Sequence, residues 1–206
     1  VRTRVRGRGV LDALTMLPLA VPGLVIAFGY VAVTFRWPFG GPIPTWLAWL
    51  EHVLPARVYA AIAEAPLAGW ADVVGADPNP VGLLVVAYAV RRLPYVVRAA
   101  VAGLEQTSTE LEEAAAMVGA SRWTTLRRIV VPLIAANLIA GALLAFSFAM
   151  LEVSDSLILA QRQVHYPITK AIFILNERLG DGQALASAMG VWGMALLATT
   201  LIAASV

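Results

Sequence analysis

Two carboxylates, Glu152 and Asp155, stand directly after an uncharged run at residues 129–151 and directly before the apolar patch 157–160. Carboxylates are rare in such surroundings, because an ion in hydrocarbon loses its hydration. Hard oxygen donors suit a hard cation, and they suit ammonium groups equally. A plainer reading is open beside that one: both residues simply mark the outer surface of a membrane. Other reactive chemistry is sparse. The chain has no cysteine, which removes disulfides, thiolate nucleophiles and cysteine metal sites. His52 and His165 are too few and too far apart in sequence for a metal cluster. No phosphate-binding glycine-lysine motif occurs anywhere. Neither an enzymatic activity nor a cofactor is expected.

The elements that must position these residues are membrane helices. Of 206 residues 60% are hydrophobic and 14% charged, and mean hydropathy is +0.78, more apolar surface than a soluble chain of this length could bury. The predicted fold is an all-α integral membrane helix bundle, one domain over 1–206 cut from a longer chain at both ends. About 20 apolar residues cross a bilayer as helix. Four segments supply them: 11–35, 80–104, 129–151 and 184–206. The second holds Arg91 and Arg92, expected at its cytoplasmic end with Pro94 kinking the helix; as charges at membrane depth both also count as pathway candidates.

Arginine bias orients the bundle. With residues 1–10 inside, the inner segments hold Arg2, Arg4, Arg6, Arg8, Arg91, Arg92, Arg98, Arg122, Arg127 and Arg128. The outer ones hold Arg36, Arg57, Arg162, Lys170 and Arg178, five against ten. Residues 1–10 therefore read as a cytoplasmic loop rather than a nucleic-acid arm, and no nucleic-acid partner is expected. Residues 36–79 read as an external loop, with Trp37, Trp46, Trp49 and Trp70 suited to the bilayer interface and a short surface helix beginning near Trp46. That loop is either a surface connector or a docking surface. Residues 152–183 read as an external or re-entrant segment.

The cytoplasmic loop at 105–128 has its own local code. Thr109 with Glu112 reads as a helix start, and Glu110, Glu112 and Glu113 crowd the first turn, where the helix dipole favours negative charge. Ala114, Ala115 and Ala116 propagate the helix. Gly119 stops it, and Ser121 caps a second helix that runs from Arg122 toward Pro132. Leu111, Met117, Val118 and Trp123 offer apolar anchors to a partner, and Glu113 and Arg122 charged ones.

The spacing Glu113-Ala114-Ala115, three residues, Gly119, nine residues, then Ile129 with Pro132 resembles the "EAA" loop of permease subunits of binding-protein-dependent ABC importers. Residues 17–23, 93–98 and 141–146 resemble other stretches of that family; the external link 36–79 is longer than is usual there. The resemblance implies a permease of the type I importer fold in a bacterial or archaeal cytoplasmic membrane. It implies that Glu113, Ala114, Ala115, Gly119, Arg122, Ile129 and Pro132 couple to a separate cytoplasmic ATPase. A periplasmic or lipid-anchored solute-binding protein and a second permease subunit or half complete the implied assembly, with the lipid bilayer around it. The segment holding Glu152 and Asp155 resembles the acidic element of ferric-iron, polyamine and thiamine permeases. Ferric iron is the first expected solute, with polyamine, thiamine, sulfate or another small solute as alternatives. An uncoupled channel or secondary carrier, with Asp12, Arg91 and Arg92 as pathway charges, is the competing class.

Overall fold

The computed structural model describes residues 7–64, 67, 69, 71–75 and 78–205. Arg2, Arg4, Arg6 and Trp70 lie outside them. Among the described residues the regular structure is helical, and the β pairing is a single isolated bridge between Asp72 and Asn79.

By length and composition, Gly182–Ala203 within α12 (Gly182–Ser205) is long and apolar enough to cross a membrane alone. Two broken pairs qualify when each is taken together. One is α1 (Arg8–Ala20) with α2 (Gly23–Thr34). The other is Arg122–Leu133 with α9 (Ala135–Met150), bent by 69°. The expected spans at 11–35 and 129–151 are therefore each interrupted. The first stops at Ala20 and restarts at Gly23 behind Pro22. Proline lacks the amide donor and disfavours helical backbone in the residue before it. The second breaks at Ile134, two residues after Pro132, and enters through a π turn at Leu126–Val130.

Helix α5 (Val81–Gln106) runs 26 residues, about 39 Å at the usual rise. Arg91, Arg92 and Arg98 keep it out of the apolar set. Here the expectation that Arg91 and Arg92 sit at a cytoplasmic helix end needs correction. The helix continues past Pro94 to Gln106, so both arginines fall near its middle. Removing them from the inner count leaves ten minus two, eight against five, so the arginine bias keeps its sign.

The described chain forms two compact units. The first comprises residues 1–20, 91–149 and 200–206. Within it the second half of α5 runs antiparallel to α9. Tyr95 stacks on Phe148 with centroids 4.9 Å apart, and a Cβ added to Gly141 would lie 2.5 Å from the Ala99 Cβ. Membrane helices associate through such small residues, which let backbones approach. Arg98 ties this helix to α1 through Asp12 at 3.1 Å. Gly141→Ala should overpack the contact by about 1–3 kcal/mol. Its thermal unfolding midpoint in detergent is expected to fall; an unchanged midpoint would contradict the close approach.

The second unit comprises residues 21–90 and 150–199. Its α2 packs on the short helix α10 (Ser154–Leu159), with Ala27 fully buried. The stretch 36–79 is more than a connector, because Ala71 and Val73 contribute to this core. Asp72 Oδ1 accepts from the amides of Val74 at 3.2 Å and Gly75 at 2.7 Å, turning the chain so that Ala71 and Val73 pack with Leu83, Leu84, Leu159 and Ala160. Upstream lie a 3₁₀ turn at Thr45–Leu47, α3 (Leu50–Val53) and α4 (Ala56–Ala63). Trp37 Nε1 donates to the carbonyl of Ile62 at 2.7 Å and closes this arc, while Trp46 and Trp49 stay exposed.

Candidate coupling loop and acidic element

In the first unit the loop at 105–128 folds as two short helices, α6 (Glu110–Met117) and α7 (Arg122–Thr125). Ser108 and not Thr109 caps the first: its Oγ accepts from Glu110 N at 3.1 Å, whereas Thr109 already has helical backbone and no side-chain cap bond. The end of α6 follows the glycine code. Gly119 has φ +80°, its amide donates to Ala116 O at 3.0 Å, and Ala120 N donates to Ala115 O at 3.0 Å. Those two bonds, 5→2 and 6→1, are the Schellman closure of a helix end. Two residues on, Ser121 Oγ accepts from Thr124 N at 3.2 Å and caps α7.

The turn between the helices is thus fixed by hydrogen bonds on both sides. It carries a bare apolar tip: Met117 is 84% exposed, Val118 85% and Trp123 69%. Glu113, Ala114 and Arg122 are exposed beside it, and Ala115 is buried against the loop. Ile129 and Pro132 lie beyond, in the π turn and the short helix α8 (Val131–Leu133). Their place is the entry into the third apolar segment and not the tip.

Arg92 in the same unit has a specific partner. Its Nη2 donates to the carbonyl of Phe148 at 2.8 Å, and the guanidinium lies 5.8 Å from the Phe148 ring centroid. A cation on the last turn of α9 complements the helix dipole. Arg91 is buried. The Arg92 side chain packs on the end of α9 in this geometry.

In the second unit the acidic residues separate by environment. Glu152 is half-buried, and its Oε1 accepts from Ser154 N at 3.0 Å at the start of α10. Asp155, in the first turn of α10, is fully buried. Thr169 Oγ1 donates to Glu152 O at 2.7 Å and ties α11 (Ile168–Asn176) to the segment before α10. Beside them lies Lys170, which sequence reasoning treated only as one more external cation. It is buried, and its Nζ donates to the carbonyls of Ser156 at 3.0 Å, Leu157 at 3.1 Å and Ala160. Desolvation by burial lowers its pKa from the ordinary lysine value. The signal was present in the sequence: it is the one lysine among fifteen Lys and Arg residues, followed directly by an apolar run, Ala171 to Leu175. No group of three or more histidine, cysteine or carboxylate side chains is gathered for a metal ion among the described residues.

Comparison with known proteins bears on the loop and the bundle together. The model of the family described as "Binding-protein-dependent transport system inner membrane component" matches residues 1–206. The sulfate transport system permease protein CysT of Escherichia coli is 30% identical over 151 residues, 73% of this chain and 45% of that protein. A Haemophilus influenzae protein with the provisional name ferric transport system permease protein FbpB 1 is 30% identical over 154 residues, 75% of this chain and 19% of its own length. The molybdenum transport system permease protein ModB of Escherichia coli is 28% identical over 152 residues, 74% of this chain and 56% of that protein. The chain thus spans about half, or less, of the length of these relatives. With a capped double-helix loop, apolar helices and a family match from end to end, this chain belongs to the inner membrane components of binding-protein-dependent transport systems.

Proposed function

We propose that the chain is the membrane-spanning permease part of an ATP-driven importer, and that it receives force from a separate cytoplasmic ATPase through the tip formed by α6 and α7. The observation that carries this reading is the rigid, exposed apolar tip of Met117, Val118 and Trp123 on a loop closed by Gly119 and Ser121. A soluble surface gains nothing from presenting a methionine, a valine and a tryptophan together; a partner groove that receives a short helix does. A channel or uncoupled carrier has no use for such a tip. Glu113 and Arg122 flank it and fix the register of docking through charge. The bundle's exposed apolar helix α12 faces lipid or a second permease copy or half.

Orientation is open to direct test. The chain contains no cysteine, so single thiols report cleanly. Ser121→Cys should react with an impermeant maleimide only in inside-out vesicles, and Glu51→Cys only in right-side-out cells. The reverse pattern would put the tip out of an ATPase's reach and end the proposal.

The proposed solute is a small inorganic ion. Ferric iron is favoured by the carboxylates Glu152 and Asp155 and by the likeness to FbpB 1. Sulfate is the second reading, favoured by the likeness to CysT. Uptake of radiolabelled iron and of radiolabelled sulfate into proteoliposomes, with the receptor and ATPase supplied, distinguishes them. ATP-independent uptake of either would overturn the importer itself.

A further inference from the structure

Lys170 is unusual in both number and setting. It is the chain's only lysine and only 3% exposed, in a protein that otherwise uses arginine for its cations. An ammonium group has three protons to donate. Here three carbonyls accept them, those of Ser156, Leu157 and Ala160. The ring of Tyr166 covers the ammonium with its centroid 4.6 Å from Nζ.

Two of the carbonyls, those of Ser156 and Leu157, lie at the middle of α10, and the third belongs to Ala160, the residue that ends it. A helix of six residues has little to hold it, because nucleation is costly and few backbone bonds follow from it. Ser156 O also accepts from Ala160 N at 3.0 Å and Leu157 O from Gln161 Nε2 at 3.3 Å; the ammonium adds a charged donor to both and to Ala160 O, and puts positive charge at the negative end of the helix dipole. A compact point charge fits that cage, and arginine's planar fork does not. At the other end of the same short helix stands Asp155, fully buried, and α10 as a whole packs on α2.

We propose that Lys170 is a positioning residue: its ammonium locks the end of α10 and thereby holds Asp155 in register on the solute path. The transport consequence rests on the pathway reading given above; the lock does not. Lys170→Met keeps the chain length without the charge. Lys170→Ala leaves a vacancy that methylammonium can enter.

The test uses Ser156→Cys, a single thiol on α10 that is inaccessible while the helix is locked, labelled in native membranes with a small maleimide. Both Lys170 variants should label about tenfold faster than the parent, as local opening exposes the helix. Methylammonium should return Lys170→Ala toward the parental rate and leave Lys170→Met unchanged, a split that mere loss of packing would not produce. Uptake should fall in both variants and recover with methylammonium in Lys170→Ala alone. Unchanged labelling, or faster labelling that methylammonium does not reverse, overturns the lock. Labelling as expected with uptake at the parental level keeps the lock and overturns the place of α10 on the solute path.

Discussion

Gly119→Val is expected to insert normally, to retain its spans and to lose transport. Gly119 sits at φ +80° with nothing within 4 Å of an added Cβ, so the substitution clashes with no neighbour and acts through the backbone alone. A non-glycine residue in the left-handed region costs roughly 1–2 kcal/mol, and a β-branched one is at the upper end. That energy corresponds to about a five- to thirty-fold loss of the loop geometry seen here. The two bonds that close α6, from Gly119 N and Ala120 N, would open, and the angle between α6 and α7 would change with them. ATP-dependent uptake and retention of the ATPase on the purified permease should fall together. Gly119→Asn, which tolerates the left-handed region, should lose much less. Parental transport by Gly119→Val would remove the loop from the mechanism.

The second large effect is expected from Glu152→Gln combined with Asp155→Asn. A carboxylate about 4 Å from a cation contributes on the order of 1 kcal/mol in water and about 4 kcal/mol at an effective dielectric near 20. Uptake of a cationic solute should therefore fall by between about five-fold and about a thousandfold. Asp155 is fully buried and Glu152 half-buried, so the Asp155 single variant should account for most of the loss. The defect should be greatest at low solute concentration, and ATPase docking should be unaffected, since the proposed coupling loop lies elsewhere in the chain. Uptake measured across solute concentrations in proteoliposomes decides it. Equal uptake at every concentration would leave both residues as polar structure.

Short-range features of this chain were legible in its sequence. Gly119 and Ser121 announce a helix stop and a helix start because backbone conformation at those positions is decided within a few residues. Ser108 shows the limit of that reach: Thr109 and Ser108 are both competent caps, and only the observed backbone decides that the chain enters helix one residue early. Long-range partners were not legible. Arg92 finds the carbonyl of Phe148 56 residues away, and no local pattern tells a helix-capping arginine from one at a membrane surface. The stretch 36–79 reads as a tryptophan-rich and proline-rich surface link, yet Ala71 and Val73 reach the core because Asp72 turns the chain between them. The apolar run 11–35 hides its break, since hydropathy ignores what Pro22 does to the backbone. Lys170 was legible as an oddity, and its partners on α10 were not.

The central claim is that the tip of the α6–α7 loop is the surface on which an ATPase pulls. The most direct measurement places a photo-crosslinking amino acid at Val118, 85% exposed, and irradiates native membranes. The crosslinked product is then probed with a photoreactive ATP analogue. The expected result is one dominant adduct whose partner is labelled by the analogue, competed away by ATP, and lost in Gly119→Val. An adduct whose partner binds no ATP, or full ATP-driven uptake in membranes where the Val118 position crosslinks only to lipid, would contradict it.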